Sequence, residues 1–181
     1  MKNRIAVIVG HREKSQGAFS QHLEQTEFEF NKLVAEQLED IVDIHYRPDT
    51  PFTSESYKRL QVLKSINSKR YDLVIGLHFN AFHDENAHGC TALHYITNDR
   101  TKKLARKFVY LVNRDFKVRK RELIAISSKS QRGGQMVIDS KADFILLEPF
   151  FGTNKESLKF KDKINEYSCV IRELIEFSYE N

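Results

Sequence analysis

The chain has 181 residues, 40% of them hydrophobic and 30% charged, with a formal charge of +4 from 29 basic and 25 acidic side chains. That balance excludes a disordered, low-hydropathy chain and is enough to bury one core without staples. No stretch approaches the roughly 20 apolar residues that span a bilayer, so no membrane span is expected.

Ile5 to Val9 (IAVIV) is a short β-rich apolar run and reads as a buried strand. It is too short for the apolar region of an export signal, and a Gly-His pair follows at once. Synthesis in the cytoplasm without a signal peptide is therefore expected. Gly10 to about Gln25 is polar and reads as a loop. Glu27 to Leu38 carries Phe28, Leu33, Val34 and Leu38 at helical spacing, with Thr26 as N-cap and Glu29 as its capping-box partner.

Ile41 to Tyr46 alternates apolar and polar residues and predicts a second strand, followed by a turn-rich loop over Arg47 to Thr53 (RPDTPFT). Ser54 to Ser68 fits a helix with Leu60, Leu63 and Ile66 on its inner face. Leu73 to Leu77 (LVIGL) is another buried strand, and Gly89 to Ile96 is a strand leaving the loop at Asn80 to His88. Asp99 caps a long helix to about Phe116. Ile124 to Ser140 is irregular, with room for a short strand. Phe144 to Leu147 (FILL) is a last buried strand, and Glu156 to Phe177 a C-terminal helix.

Strands alternating with helices predict an α/β fold: one domain over 1–181, a mostly parallel twisted sheet with helices on both faces. In such sheets functional residues gather just past the C-terminal strand ends. His11 follows IAVIVG, His78 follows LVIGL, Glu148 follows FILL, and Glu27 opens the first helix. Two histidines and a glutamate form a common catalytic zinc set with one position left for water, and a second glutamate can act as general base. Each residue taken singly has a plainer reading. A histidine after a strand is often a loop residue, and an acid at a helix N-terminus is favoured by the macrodipole. Glu148 is the least ordinary, because a carboxylate between four apolar residues and Pro149-Phe150-Phe151 is partly buried and needs a cation or donor close by.

The segments VIVGH, TEFEFNK, IGLHFNA and ILLEPFFGTN occur in the order found in zinc-dependent N-acetylmuramoyl-L-alanine amidases. The chain resembles that family over nearly its whole length, and in particular the catalytic domains of phage endolysins. The resemblance implies Zn²⁺ held by His11, Glu27 and His78, with Glu148 as catalytic acid/base. It implies hydrolysis of the amide between N-acetylmuramic acid and L-alanine, peptidoglycan as partner, and action on the cell wall after release from the cell. Glu29 competes with Glu27 for the ligand role, and the order Glu-Phe-Glu-Phe-Asn favours Glu27. Asn80, two residues past His78, is a candidate substrate contact or loop-fixing residue. RPDT and RLQVLKSIN resemble weaker family segments. Gly10-His11-Arg12-Glu13 stands where many members have Gly-His-Gly-Gly. Pro149 and Phe150 replace a usual Gly, a change expected to reshape the pocket wall.

Other features stay outside that set. His22, His45, His83, His88 and His94 receive no role, though His83 and His88 flank the loop beside the proposed site. Ser127 to Gln135 (SSKSQRGGQ) reads as a mobile surface loop, with bordering of a substrate groove as the alternative. Cys90 and Cys169 read as two buried free thiols. The basic run from Arg100 to Arg121 reads either as a solvated helix face or as a polyanion-binding surface. Competing functions are a zinc amidohydrolase for small N-acyl amino acids and a non-catalytic polyanion-binding module. No nucleic-acid partner is expected, and the oligomeric state is left open.

Overall fold

Three of the expected apolar runs lie side by side in the computed structural model, which describes residues 4–50 and 53–180. Strands β1 (Ile5–Val9), β5 (Leu73–Leu77) and β8 (Asp143–Glu148) are parallel neighbours at the centre of a six-stranded sheet; with β4 (Asp43–His45), β6 (Thr91–Tyr95) and β7 (Ile124–Ile126) the order is β4-β1-β5-β8-β6-β7. Every residue of β1 and β5 is buried, which is why these segments read as unbroken apolar runs instead of alternating ones. β4 (Asp43–His45) adds in parallel to β1 at one edge. β6 (Thr91–Tyr95) runs antiparallel to β8, and β7 (Ile124–Ile126) pairs in parallel with β6 at the other edge.

The sheet is covered on both faces. Val7, Val9, Ile75, Leu77, Ile145 and Leu147 pack against α1 (Glu27–Glu36), α3 (Asp99–Phe116) and α5 (Ile164–Glu180). Ala6, Ile8, Val74, Phe144 and Leu146 face α2 (Glu55–Asn67) and α4 (Gly134–Asp139). The single-domain α/β architecture is thus the expected one. An aromatic cluster locks the first layer: Phe160 stacks on Phe116 with ring centroids 4.2 Å apart, and Phe30 sits edge-on to Phe150 at 5.2 Å.

Several details differ from the sequence reading. The stretch after Gly10 holds a small hairpin, β2 (Phe19–Ser20) with β3 (Gln25–Thr26). On α2 the buried residues include Val62, Leu63 and Ile66, while Leu60 is exposed. Asn98, not Asp99, caps α3, since its side chain accepts from the Thr101 N–H. The C-terminal segment splits into a 3-10 helix over Lys155–Phe160 and α5, because the exposed Asp162 takes a left-handed φ of 59° between them. The segment expected to be irregular contains β7 and α4. Cys90 is buried but Cys169 is exposed. Pro51 and Phe52 of the turn-rich loop lie outside the described residues. No helix among the described residues is long and apolar enough to cross a membrane.

Candidate active site

Strand register decides which side chains meet. Val9 pairs with Leu77, and Leu77 with Leu147. The three strands therefore end level, and His11, His78 and Glu148 emerge from one rim of the sheet. His11 stands on a left-handed turn with φ 64°, and its ring reaches Glu27. α1 starts at the same rim, and its first residue, Glu27, is only 4% exposed.

Glu27 lies between the two imidazoles. Its Oε2 is 3.0 Å from His11 Nε2, and its Oε1 is 2.7 Å from His78 Nδ1. The backbone N–H of Phe79 donates to Oε1 at 3.2 Å. Burial pushes the Glu27 carboxyl upward, but the hydrogen bonds from His11 and His78 overcome this and hold its pKa at about 2. One potential ligand atom from each of His11, Glu27 and His78 lies within 4.8 Å of the others. The fit to a metal is also built into the backbone. Gly17 has φ +79°, and a Cβ there would come within 2.7 Å of the His11 ring and 2.8 Å of Glu27 Oε2. Glu29 is occupied elsewhere, in the capping box at the start of α1, where its Oε2 accepts from Thr26 N at 2.8 Å.

Glu148 is 2% exposed, and burial raises its pKa from the ordinary value, against the opposing charge of Arg132. The cation and donor that a buried carboxylate requires are present. Arg132 Nη2 is 2.7 Å from Oε1, and Asn80 Nδ2 donates to Oε2 at 3.0 Å. Arg132 also reaches Asn80 Oδ1 at 3.3 Å, closing a three-membered network. Asn80 itself is held by backbone bonds to Phe150 and Gly152 and does not line the cleft.

His11, Glu27, His78, Arg132 and Glu148 face one cleft of about 780 Å³, within the usual range for ligand pockets. The Ser127 to Gln135 segment borders it through Lys129, Arg132 and Gln135. This loop is internally tied, with Gln131 Oε1 accepting from the backbone N–H groups of Ser127 and Ser128. Neither Pro149 nor Phe150 lines the cleft. Phe150 is fully buried against Phe30 and Phe79, so the replacement of the usual Gly enlarges the core and leaves the pocket wall alone. Arg12 and Glu13 do not disrupt the first loop, because Arg12 ties it to Asp49 at 2.6 Å and to Glu55 at 3.0 Å. No residue of the basic run Arg100 to Arg121 lines the cleft, and Lys107 and Arg114 pair with Glu173 of α5.

The profile of the N-acetylmuramoyl-L-alanine amidase family matches residues 5–168. The chain belongs to this family. As an amidase it acts on peptidoglycan, and the non-catalytic reading of the basic face falls away. Among solved structures, the amidase is similar to the catalytic domain of the CD27L endolysin targeting Clostridia difficile. That match has 25% identity and a TM-score of 0.78, covering 96% of this chain and 97% of the other. It also shares its fold with the amidase AmiC2 of Nostoc punctiforme, at 19% identity and a TM-score of 0.73, covering 100% and 99% of the two chains. A third similar fold is the catalytic domain of CwlV from Bacillus (Paenibacillus) polymyxa, at 17% identity and a TM-score of 0.70, covering 95% and 96%. No curated protein sequence matches the amidase.

Sequence reasoning missed Arg132 as the partner of Glu148, Gly17 as the spacer beside the histidines, and the cleft positions of Arg47 and Arg59. The first lies in a segment that had been singled out for its polarity. Arg47 opens RPDT. Gly17 and Arg59 carry no signal apart from their neighbours in space.

Proposed function

We propose that this amidase is zinc-dependent and hydrolyses the amide between N-acetylmuramic acid and L-alanine, with His11, Glu27 and His78 as ligands and Glu148 as acid/base. The observation that carries the reading is the convergence of two imidazoles and one carboxylate, ligand atoms within 4.8 Å, beside a separate buried carboxylate in the same cleft. Two imidazole nitrogens and one carboxylate oxygen, converging in the cleft, suit a catalytic zinc with an open position. Zinc bound there would acidify a water towards a pKa of about 7 and polarise the scissile carbonyl.

The residues of the chain do the rest. The Phe79 N–H and the place of Glu27 at the head of α1 hold its carboxylate at the rim. Asn80 and Arg132 hold the Glu148 carboxylate in one orientation. Glu148 takes the proton of the attacking water and returns it to the departing L-alanine nitrogen, and its raised pKa suits both directions of transfer. Asn80 acts through Glu148 as a positioning residue. The endolysin setting, with a phage enzyme reaching the wall after release from the cell, rests on the likeness to the CD27L catalytic domain.

The test is metal content of the purified protein together with release of N-terminal L-alanine from cell walls. One zinc per chain and chelator-sensitive release is the expected result. Release that persists in thoroughly demetallated protein would remove the zinc assignment.

A further inference from the structure

Arg47 follows β4 and lines the same cleft as His11, Glu27 and His78. Its Nε is buried and has no hydrogen-bond partner. The acids around it are already engaged. Asp49 and Glu55 pair with Arg12, Glu55 also takes Lys58 at 3.2 Å, and Glu27 is shared by two histidines. Burial and the neighbouring charge of Arg59 push the Arg47 guanidinium down to about 10, well below its ordinary range. Arg59 lines the cleft as well, its Nε donating to Gln135 Oε1 at 3.3 Å.

A buried Arg47 Nε–H without a partner, next to a second guanidinium, is costly, and Glu27 and Glu55 offset that only from a distance. Of the other cations that line the cleft, Arg132 is paired with Glu148 and Lys129 with Asp139, which leaves Arg47 and Arg59 facing it with no ion pair among the described residues. On the proposed function, which this inference rests on, Glu27 spends its charge on a divalent cation, so the excess grows. The missing component is an anion, and it must come with the substrate. In the stem peptide the residue after L-alanine is linked through its side-chain carboxyl, which leaves its α-carboxylate free unless the cell amidates it. That group lies one residue beyond the bond being cut. A planar guanidinium with an unused Nε–H is suited to receive such a carboxylate in a forked pair of hydrogen bonds.

We propose that Arg47 and Arg59 form a carboxylate subsite for the α-carboxylate of the second stem-peptide residue, and that the enzyme selects stems in which this group is not amidated. Replacing the carboxylate by a carboxamide leaves both arginines without their counter-charge, which is expected to cost about 10- to 100-fold.

The test uses two matched probes, MurNAc–L-Ala–γ-D-Glu–L-Lys and its counterpart with an α-carboxamide on the second residue, both amidated at the C-terminus. Cleavage is read as kcat/KM on the wild type, and binding by calorimetry on the Glu148→Gln variant. The expected result is a preference for the carboxylate probe in both readouts, erased by Arg47→Met or Arg59→Met through loss on that probe alone. Should Arg47→Met fail to fold, Arg59→Met on the outer helix α2 carries the same comparison. Equal affinity of the two probes, cleaved or not, overturns the subsite. A binding preference without cleavage of either probe supports the subsite and removes the reaction.

Discussion

Arg132 Nη2 lies 2.7 Å from Glu148 Oε1 and 2.8 Å from Oε2, so an exposed arginine on a loop spans both oxygens of a buried carboxylate. Burial drives the Glu148 pKa up, and Arg132 is the strongest opposing influence. Arg132→Ala is therefore expected to raise that pKa further and move the acidic limb of the kcat/KM profile to higher pH. Arg132→Lys should restore part of the shift, since a point charge replaces the fork. A limb that stays in place in both variants would mean that Glu148 does not govern the profile.

Glu148→Gln is expected to keep the metal and lose about 10²- to 10⁴-fold in turnover, the usual range for an acid/base group. Its stability should change in the opposite sense. The native carboxyl holds its proton to higher pH than the unfolded one, so ionisation destabilises the fold as pH rises from the ordinary carboxylate value through the native value. At neutral pH the glutamine variant escapes that cost and should melt higher than wild type. Below the ordinary carboxylate value the difference should vanish. Thermal melts across pH, on metal-free protein, read both parts.

Gly17→Ala tests whether the backbone around the histidines is shaped for a metal. The added Cβ meets the His11 ring at 2.7 Å and Glu27 Oε2 at 2.8 Å, at a φ that favours glycine. The expected outcome is a loss of about 10- to 100-fold in zinc affinity, as for other residues that orient ligands, with the fold retained by circular dichroism. Unchanged affinity would show that the loop relaxes freely away from the site.

Phe160 is 1% exposed and stacked on Phe116 at the junction of the 3-10 helix and α5. Phe160→Ala should cost about 3–5 kcal/mol of stability, corresponding to a fall in melting temperature of roughly 6–20 °C for a domain of this size. Activity measured well below the new transition should stay near the wild-type level, because the ring lies in the core and outside the cleft.

Much of the site is written in the strand ends. IAVIV, LVIGL and FILL are apolar because both faces of the central strands are covered, so the first polar residues after them fall on one rim. That local rule points to His11, His78 and Glu148, and the order Glu-Phe-Glu-Phe-Asn favours Glu27 over Glu29, which the structure places in the capping box with Thr26. The shorter elements were harder to read. β7 has three residues and α4 six, too few for a periodic pattern to rise above the surrounding polar sequence.

By itself, then, the sequence determined the class of fold, the buried central strands and the residue types at the rim, because burial and capping act over a few neighbouring positions. Only the tertiary structure decided which distant residues complete the site. Arg132 meets Glu148 across 16 positions, and Asn80 meets it across 68. Arg12, from the first loop, holds Asp49 and Glu55, while the Arg47 Nε is left without a partner. Such pairings depend on register and chain crossing, and no local preference encodes them.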